Sequence, residues 1–571
     1  MGVFRKNSWT LRRTIVLGLL LVPAALTFFF IRLYGVNVPY WDQWEIIALL
    51  SKWQAQGIAP YDLVTLANEH RIVFPKLWML TLATLTNYNT LAEMYCNWLL
   101  VCASAGVVFS MYRKTFGLSD LTLIQFLPVM WLLFGLQQYE NWLWGMQIVV
   151  FLPVFAALGT FALLEQSVTL DRYFLAAVAS GGVAAFSFAN GLFVWPIGLF
   201  QLWGKGRSRE EPARTVDRRW LWGLVGISAF VLYFTGYAKN PHHPSLLYGL
   251  WHPWTAVLYF FAVLGHPLTD NLSTAVATGF LLICFGFFAY ALKFTGEPWR
   301  VTFWDALVLF AVLSAGSLVL GRSGFGLEQA LSSRYTTFTI LGIIGLYCKL
   351  LIHATYRRVP AMLVYGALGA LIIQGILLSI YTGVGNGKIT RANRRMAAYV
   401  LQTLPFQSDA RVEQMIYPVA AKARQLTLFL ERQKLSVFAT RNGIPDRRLP
   451  EAVSFAVDTV NDRLISQGVV IESAREAVVT VNGWALDAVA KQVASGVLLE
   501  VDGRLTIPAQ YGLPRPDVAS LLGWQYKFSG FSASFATSVL AKGLHTLSLR
   551  VISADGQGYY EPSYQTTVNV Q

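Results

Sequence analysis

The chain has 571 residues, 55% of them hydrophobic and 13% charged, with a formal net charge of +14. A soluble domain carries about 25% charged residues, so a water-soluble fold is excluded as the main architecture. The positive charge does not point to nucleic acid, because many Lys and Arg residues sit in short loops beside apolar runs and no soluble segment shows a basic stripe interleaved with aromatics.

The first apolar run, 14–33, follows Arg5, Lys6, Arg12 and Arg13 and imitates a signal peptide. Its length and the lack of a small-residue cleavage site predict a retained first span. Further runs of spanning character cover 91–112, 121–137, 142–164, 173–188, 192–203, 220–237, 273–292, 302–320, 336–353 and 361–382. The count is about eleven for a hydrocarbon core about 30 Å thick. With the N-terminus inside, the rule places Arg113, Lys114, Arg172, the 205–219 loop, Lys293, Arg300, Arg357 and Arg358 in the cytoplasm. The shorter pieces 73–85 and 256–264 read as interfacial or re-entrant. An odd number of crossings puts everything after Thr382 on the periplasmic or extracellular side.

The expected organisation is a membrane domain over 1–382, an amphipathic helical linker over 383–467 and an extracytoplasmic β domain over 468–571. In the last, the alternating runs VVTVNGWALD, GVLLEVDG, FSGFSASF and GLHTLSLRVIS, broken by Gly, Asp and Pro, predict a small antiparallel sandwich. The four cysteines, Cys96, Cys102, Cys284 and Cys348, lie in apolar runs, and no Cys/His spacing for a metal occurs.

Polar residues collect in the loops on the non-cytoplasmic side. The first loop holds VPYWDQWE with Asp42 and Glu45, then Asp62, then ANEHRIVFPK with Glu69, His70 and Arg71. Acids beside a Glu-His-Arg triplet supply a base for a hydroxyl and a seat for an anion. The plainer alternative is an aromatic belt with solvated charges, which suits Trp41 and Trp44. A second group, GRSGFGLEQALSSRYTTF, carries Arg322, Arg334 and Tyr335. These arginines defy the positive-inside bias, so they either hold phosphate or snorkel to the interface. A third, QQYENWLWGMQ, offers Glu140, Asn141 and Gln147, and FANGLFVWP places Asn190 at a break; such polar groups either touch substrate or bridge helices. The KNPHHP run with His252 and His266 matches no metal pattern and reads as a lid or acceptor loop.

The motifs YWDQWE, NEHR, ENWLWGMQ and SSRY, set in a many-helix domain followed by an extracytoplasmic β domain, resemble bacterial members of the GT-C superfamily of membrane glycosyltransferases. That resemblance implies an inner-membrane enzyme that moves a sugar from a polyprenyl-phosphate carrier to a glycan or glycolipid acceptor. It implies Asp42 as catalytic base with Glu69 as second candidate, although Gln43 stands where the superfamily often has a second acid. Arg71 and Arg334, with His70, would hold the donor phosphate, while Glu45, Glu140, Asn141, Gln147, Arg322 and Tyr335 would contact substrate. A divalent cation, magnesium or manganese, is compatible with such chemistry. Trp484, Trp524 and Tyr526 are candidate stacking platforms for a glycan. Two alternatives stand beside this: a polymerase or ligase acting on lipid pyrophosphate-linked glycans, and a non-catalytic transporter or scaffold for glycan export.

Overall fold

The computed structural model describes residues 3–205, 217–239, 243–291, 300–356, 360–402, 404, 409–439, 447–450, 453–465, 469–554, 558–561 and 565–571. The basic loop 206–216, Lys293, Arg357, Arg358 and His242 lie outside the described residues. The chain divides into two compact units, one of Met1–Gly35, Lys52–Thr86 and Thr90–Thr390, the other of Val36–Ser51, Asn87–Asn89 and Arg391–Gln571.

The first unit is helical, and the protein is a multi-pass membrane protein. Among the described residues, eight helices are long and apolar enough to cross a bilayer, against about eleven expected: Arg13–Tyr34, Thr90–Phe116, Asp120–Trp142, Gly145–Gln166, Leu272–Ala291, Phe303–Phe325, Ser333–Thr355 and Tyr365–Gln402. The difference lies in the stretch from 172 to 237. There the helices Arg172–Ala185, Val194–Lys205 and Arg218–Phe234 have 14, 12 and 17 residues. A 3-10 turn, Ala189–Phe193, separates the first two and keeps them from running on as one rod. Gly191 permits that break, since a Cβ there would fall 1.8 Å from the Ala184 carbonyl oxygen.

Helices Gly145–Gln166 and Ser333–Thr355 are the most enclosed of the eight, consistent with apolar residues all round rather than along one stripe. Small residues let other helices approach closely. Gly279 lies so near helix Pro253–Gly265 that a Cβ would stand 1.9 Å from the Phe261 carbonyl oxygen, and Gly265 faces Ala275 in the same way. Backbone contact of this kind, rather than a hydrophobic drive, holds helices together where the solvent is itself apolar. Caps fix several ends: Ser119 and Thr302 each accept from an N3 amide, and Asp305 bonds back to the Thr302 amide.

In the second unit, helices Asp409–Met415 and Ala420–Arg432 fold with the early segment 36–51. Arg394 stacks on the Tyr40 ring, Lys422 Nζ pairs with Glu45 at 2.6 Å, and the Tyr88 hydroxyl donates to the Gln43 carbonyl at 3.1 Å.

The strands follow: β1 (Val453–Val460), β2 (Arg463–Leu464), β3 (Val469–Ile471), β4 (Val478–Asp487), β5 (Gln492–Val493), β6 (Gly496–Val501), β7 (Leu505–Pro508), β8 (Gln510–Leu513), β9 (Gly530–Ala536), β10 (Gly543–Ile552), β11 (Tyr559–Tyr560) and β12 (Thr566–Val570). They form two sheets in the orders β2-β1-β4-β9-β8, with β5 on β4, and β3-β12-β10-β6-β7, with β11 on β10. The pairings are antiparallel except β3 with β12, so the region is mixed. Alternation along β4, β9 and β10 turns Val479, Val481, Phe531, Phe535, Leu547 and Leu549 into one core shared by both sheets. Each such side chain, fully buried, contributes about 1.5–3 kcal/mol.

Candidate functional site

The NEHR segment is a tight turn. Ala67 and His70 exchange backbone bonds of 2.9 and 3.0 Å, which leaves Asn68 and Glu69 at the tip, with Asn68 at φ 52°, a conformation asparagine tolerates better than most residues. The turn is anchored by its own arginine. Arg71 Nε donates to the Tyr233 carbonyl at 2.6 Å, and its two terminal nitrogens donate to the carbonyls of Val64 and Thr235. These are the carboxyl ends of helices Pro60–Val64 and Arg218–Phe234, where carbonyls lack intrahelical partners and attract cations. Lys76 does the same for Pro60–Val64, reaching the carbonyls of Asp62 at 3.0 Å and Thr65 at 2.8 Å. Asp62 caps the start of that helix, and its bond to Lys52 at 2.7 Å holds its carboxyl below the usual range.

Glu69, largely buried, has its Oε2 2.8 Å from His243 Nδ1. The other ring nitrogen of His243 lies 3.3 Å from Arg322 Nη1. Arginine only donates, so Nε2 accepts from Arg322, whereas Nδ1, although close to Glu69, has no hydrogen-bond partner among the described residues. Arg322 also lies over the Phe325 ring. His70 stacks on Phe188 with ring centres 3.9 Å apart, and burial, reinforced by the charge of Arg322, pushes its imidazole down to about 3. It is therefore neutral at physiological pH.

The motifs ENWLWGMQ and SSRY come together in the same unit. Ser333 donates to Glu140 Oε2 at 2.8 Å, and Arg334 Nε lies 3.6 Å from that oxygen with its guanidinium over Trp144. Asn141 Nδ2 donates to the Arg334 carbonyl at 3.2 Å and to Thr337 Oγ1 at 2.7 Å, and Thr337 donates to Gln138. Tyr335 is buried, and its hydroxyl accepts from Gln329 at 3.1 Å. Gln147 and Asn190 are buried as well, the latter with its amide nitrogen unbonded among the described residues.

Connectivity relates the two groups. Arg322 ends helix Phe303–Arg322, and Arg334 lies in the 3-10 turn Ser333–Tyr335 that leads into helix Thr336–Thr355, so both arginines belong to one connection at one end of a helical pair. A column of rings, His70 to Phe188 to Phe338 with the second step at 5.9 Å, joins the Glu69 turn to the first turn of helix Thr336–Thr355. From the same helix, Thr339, Gly342, Ile343, Leu346 and Lys349 line an almost wholly apolar cavity of about 550 Å³. Its polar end is the Lys349–Asp305 pair at 2.6 Å.

Asp42 and Glu69, expected as alternative bases of one site, fall in different units. Asp42 follows Trp41, a non-glycine residue at φ 47°, and lies near Tyr417, whose phenol pKa is raised by burial and by its bond to Glu45. Glu45, read from the sequence as a substrate contact, is engaged by Tyr417 and Lys422. Of the expected stacking residues, Tyr526 is buried and Trp484 packs against it, while Trp524 is exposed. His243 belongs to the KNPHHP run, read from the sequence as a lid or acceptor loop; its partners Glu69 and Arg322 lie far away in sequence and carry no motif with it. Among the described residues no three His, Cys, Asp or Glu side chains gather as metal ligands.

No protein-family model matches the chain, and no curated protein sequence matches it. Among solved structures, the chain is similar to the crystal structure of ArnT from Cupriavidus metallidurans bound to undecaprenyl phosphate, at 13% identity and a TM-score of 0.34, over 78% of this chain and 82% of that one.

Proposed function

We propose that the protein is a membrane glycosyltransferase that moves a sugar from a polyprenyl-phosphate carrier to a glycan or lipid-linked acceptor on the outer face of a bacterial inner membrane. The observation that carries this reading is the cluster Arg322–His243–Glu69, a largely buried carboxylate 2.8 Å from an imidazole that itself meets an arginine, at the loop end of a membrane-spanning bundle. Glu69 takes the proton of the acceptor hydroxyl as its oxygen attacks the anomeric carbon. The bond from that carbon to the phosphate oxygen breaks, and its electron pair leaves with the lipid phosphate, so the configuration inverts. Arg322 and Arg334 face other side chains and rings, and they are the groups suited to stabilise the departing phosphate. Arg71, engaged by three carbonyls, acts as a brace for the turn, and neutral His70 as a packing partner. The apolar cavity beside helix Thr336–Thr355 suits an isoprenoid tail: from Thr339 to Lys349 it follows the helix for about 15 Å at 1.5 Å per residue. The two-sheet region reads as a sandwich-like domain on the outer side.

The test is sugar transfer from a radiolabelled polyprenyl-phosphate sugar in proteoliposomes with Glu69→Gln and Asp42→Asn. Glu69→Gln lowers kcat by about 10²-fold or more, the usual worth of a general base, with donor binding retained. Wild-type rates for Glu69→Gln with loss in Asp42→Asn would transfer the base to the other unit. Wild-type rates in both would overturn the carboxylate mechanism and favour a pyrophosphate-linked ligase or polymerase.

A further inference from the structure

Away from these groups, the β-sheet region carries a small knob in the β8–β9 connection. It consists of the short helix Pro516–Leu522 and the 3-10 turn Trp524–Tyr526. Its base is apolar and closed: Val518 and Tyr526 pack on Leu486 and Trp484 of β4. Its tip is apolar and open. Leu521 is 80% and Trp524 72% exposed, and Leu522 and Phe528 project beside them. The adjoining β4–β5 turn adds exposed Val489 and Lys491, and β5 packs against the Trp524–Tyr526 turn. Gly523, at φ 127°, turns the chain sharply between Leu522 and Trp524.

We propose that this knob is a membrane foot whose Leu521, Leu522, Trp524 and Phe528 enter the headgroup region of an anionic bilayer. Charge supports a lipid occupant. Lys527 Nζ lies 4.5 Å over the Trp524 ring and 5.7 Å from that of Phe528, which places a cation at the collar of the apolar tip. No acid occurs from Val518 to Phe528. The flanking acids are engaged elsewhere, Asp517 by Arg515 and Asp487 by the amides of Ala490 and Ala554. An indole amid leucines with a lysine collar is the composition of an interfacial anchor. As for a glycan platform, Lys527 covers one face of the Trp524 ring.

The test uses the full chain in nanodiscs of equal parts phosphatidylethanolamine and phosphatidylglycerol, with Cys96, Cys102, Cys284 and Cys348 replaced by Ser. Nitroxide labels are attached through S520C, Q525C and, as an aqueous reference, R475C; all three positions are exposed. The expected result is a collision rate with aqueous nickel chelate about fivefold or more lower at 520 and 525 than at 475, with collision with oxygen raised. Introducing L521E with W524E restores aqueous values at 525 with an unchanged Tm. Equal nickel access at all three sites overturns the proposal, as does protection that appears only on adding cell-envelope glycan or label-to-label distances that reveal a dimer through the knob. Should the cysteine-free background fail to fold, hydroxyl-radical oxidation of the wild-type chain reads the same contrast. Protection of Trp524 in nanodiscs relative to exposed Leu544 supports the foot, and rapid oxidation of Trp524 refutes it.

Discussion

Replacing Arg71 with alanine removes one guanidinium from three backbone carbonyls at once, those of Val64, Tyr233 and Thr235. A hydrogen bond from a charged donor contributes about 1.5–3 kcal/mol, and water entering the vacated space recovers part of each loss, so Arg71→Ala should cost about 3–5 kcal/mol. Arg71→Lys recovers only a fraction, because an ammonium on a flexible stem cannot match a planar fork held against divergent acceptors. The turn that presents Glu69 loosens with the brace, so kcat falls while the donor KM stays within about twofold of wild type. Arg334→Ala is the contrast. Its guanidinium holds no helix end, so the Tm is retained and the donor KM rises about tenfold or more through loss of one charge-assisted contact. The assays are thermal stability by size exclusion after heating in detergent, and initial rates against donor concentration in proteoliposomes. An Arg71→Ala protein with wild-type Tm and a raised donor KM would refute the brace and return Arg71 to the phosphate.

Lowering pH tests the burial of His70. The unfolded chain takes up this proton near pH 6.5 and the folded one only near pH 3, so its contribution favours the folded state fully above about pH 6.5 and falls by up to ~1.4 kcal/mol per pH unit below it. His70→Phe should therefore flatten the decline of Tm between pH 6.5 and pH 4.5, and an unchanged slope would show that His70 already titrates normally. In the β region, Gly483→Ala places a methyl 2.2 Å from the Ala456 carbonyl oxygen and under the Phe531 ring, and strand separation should cost about 1–3 kcal/mol. Limited proteolysis within 453–570 during a temperature ramp measures it, and wild-type protection would show that β1 and β4 have room.

Elements that advertise themselves by period were legible in the sequence. The alternating runs at 478–487, 528–535 and 543–553 became β4, β9 and β10, because a half-buried strand leaves its pattern in consecutive residues, while the run at 496–503 became β6, which is buried along its whole length. The joining of Glu140 and Asn141 with Ser333 and Arg334 was foreshadowed, since each motif put polar side chains at the same end of predicted spans. What the sequence concealed was long-range and local at once. Segment 36–51 folds with residues beyond 391, so Asp42 and Glu69 belong to different compact units although only the helices Gln43–Gln56 and Pro60–Val64 lie between them in sequence. Apolar runs do not reveal a 3-10 break such as Ala189–Phe193, which divides the 172–205 stretch into helices of 14 and 12 residues.

The engagement of Arg71 by three backbone carbonyls has a general cause. Helix ends in a membrane protein meet little water, so their unpaired carbonyls recruit cations: Arg71 and Lys76 do this in the 60–76 region, and Arg218 Nη1 donates to the Ser167 carbonyl at 2.9 Å beyond helix Ile148–Gln166. A cation held in that way is neutralised by dipoles at fixed positions and has no geometry left for a ligand. Arg322 and Arg334 are placed differently. Their recorded partners are an imidazole, a carboxylate, a hydroxyl and aromatic faces, all side-chain groups that can rotate away when a stronger anion arrives. A phosphate bearing two charges competes well against the Arg334–Glu140 contact at 3.6 Å but poorly against three bonded carbonyls. The physical distinction between a bracing and a binding arginine is therefore whether its donors end on backbone or on exchangeable side chains, and within the proposed function that criterion favours Arg322 and Arg334 over Arg71 as partners of the phosphate.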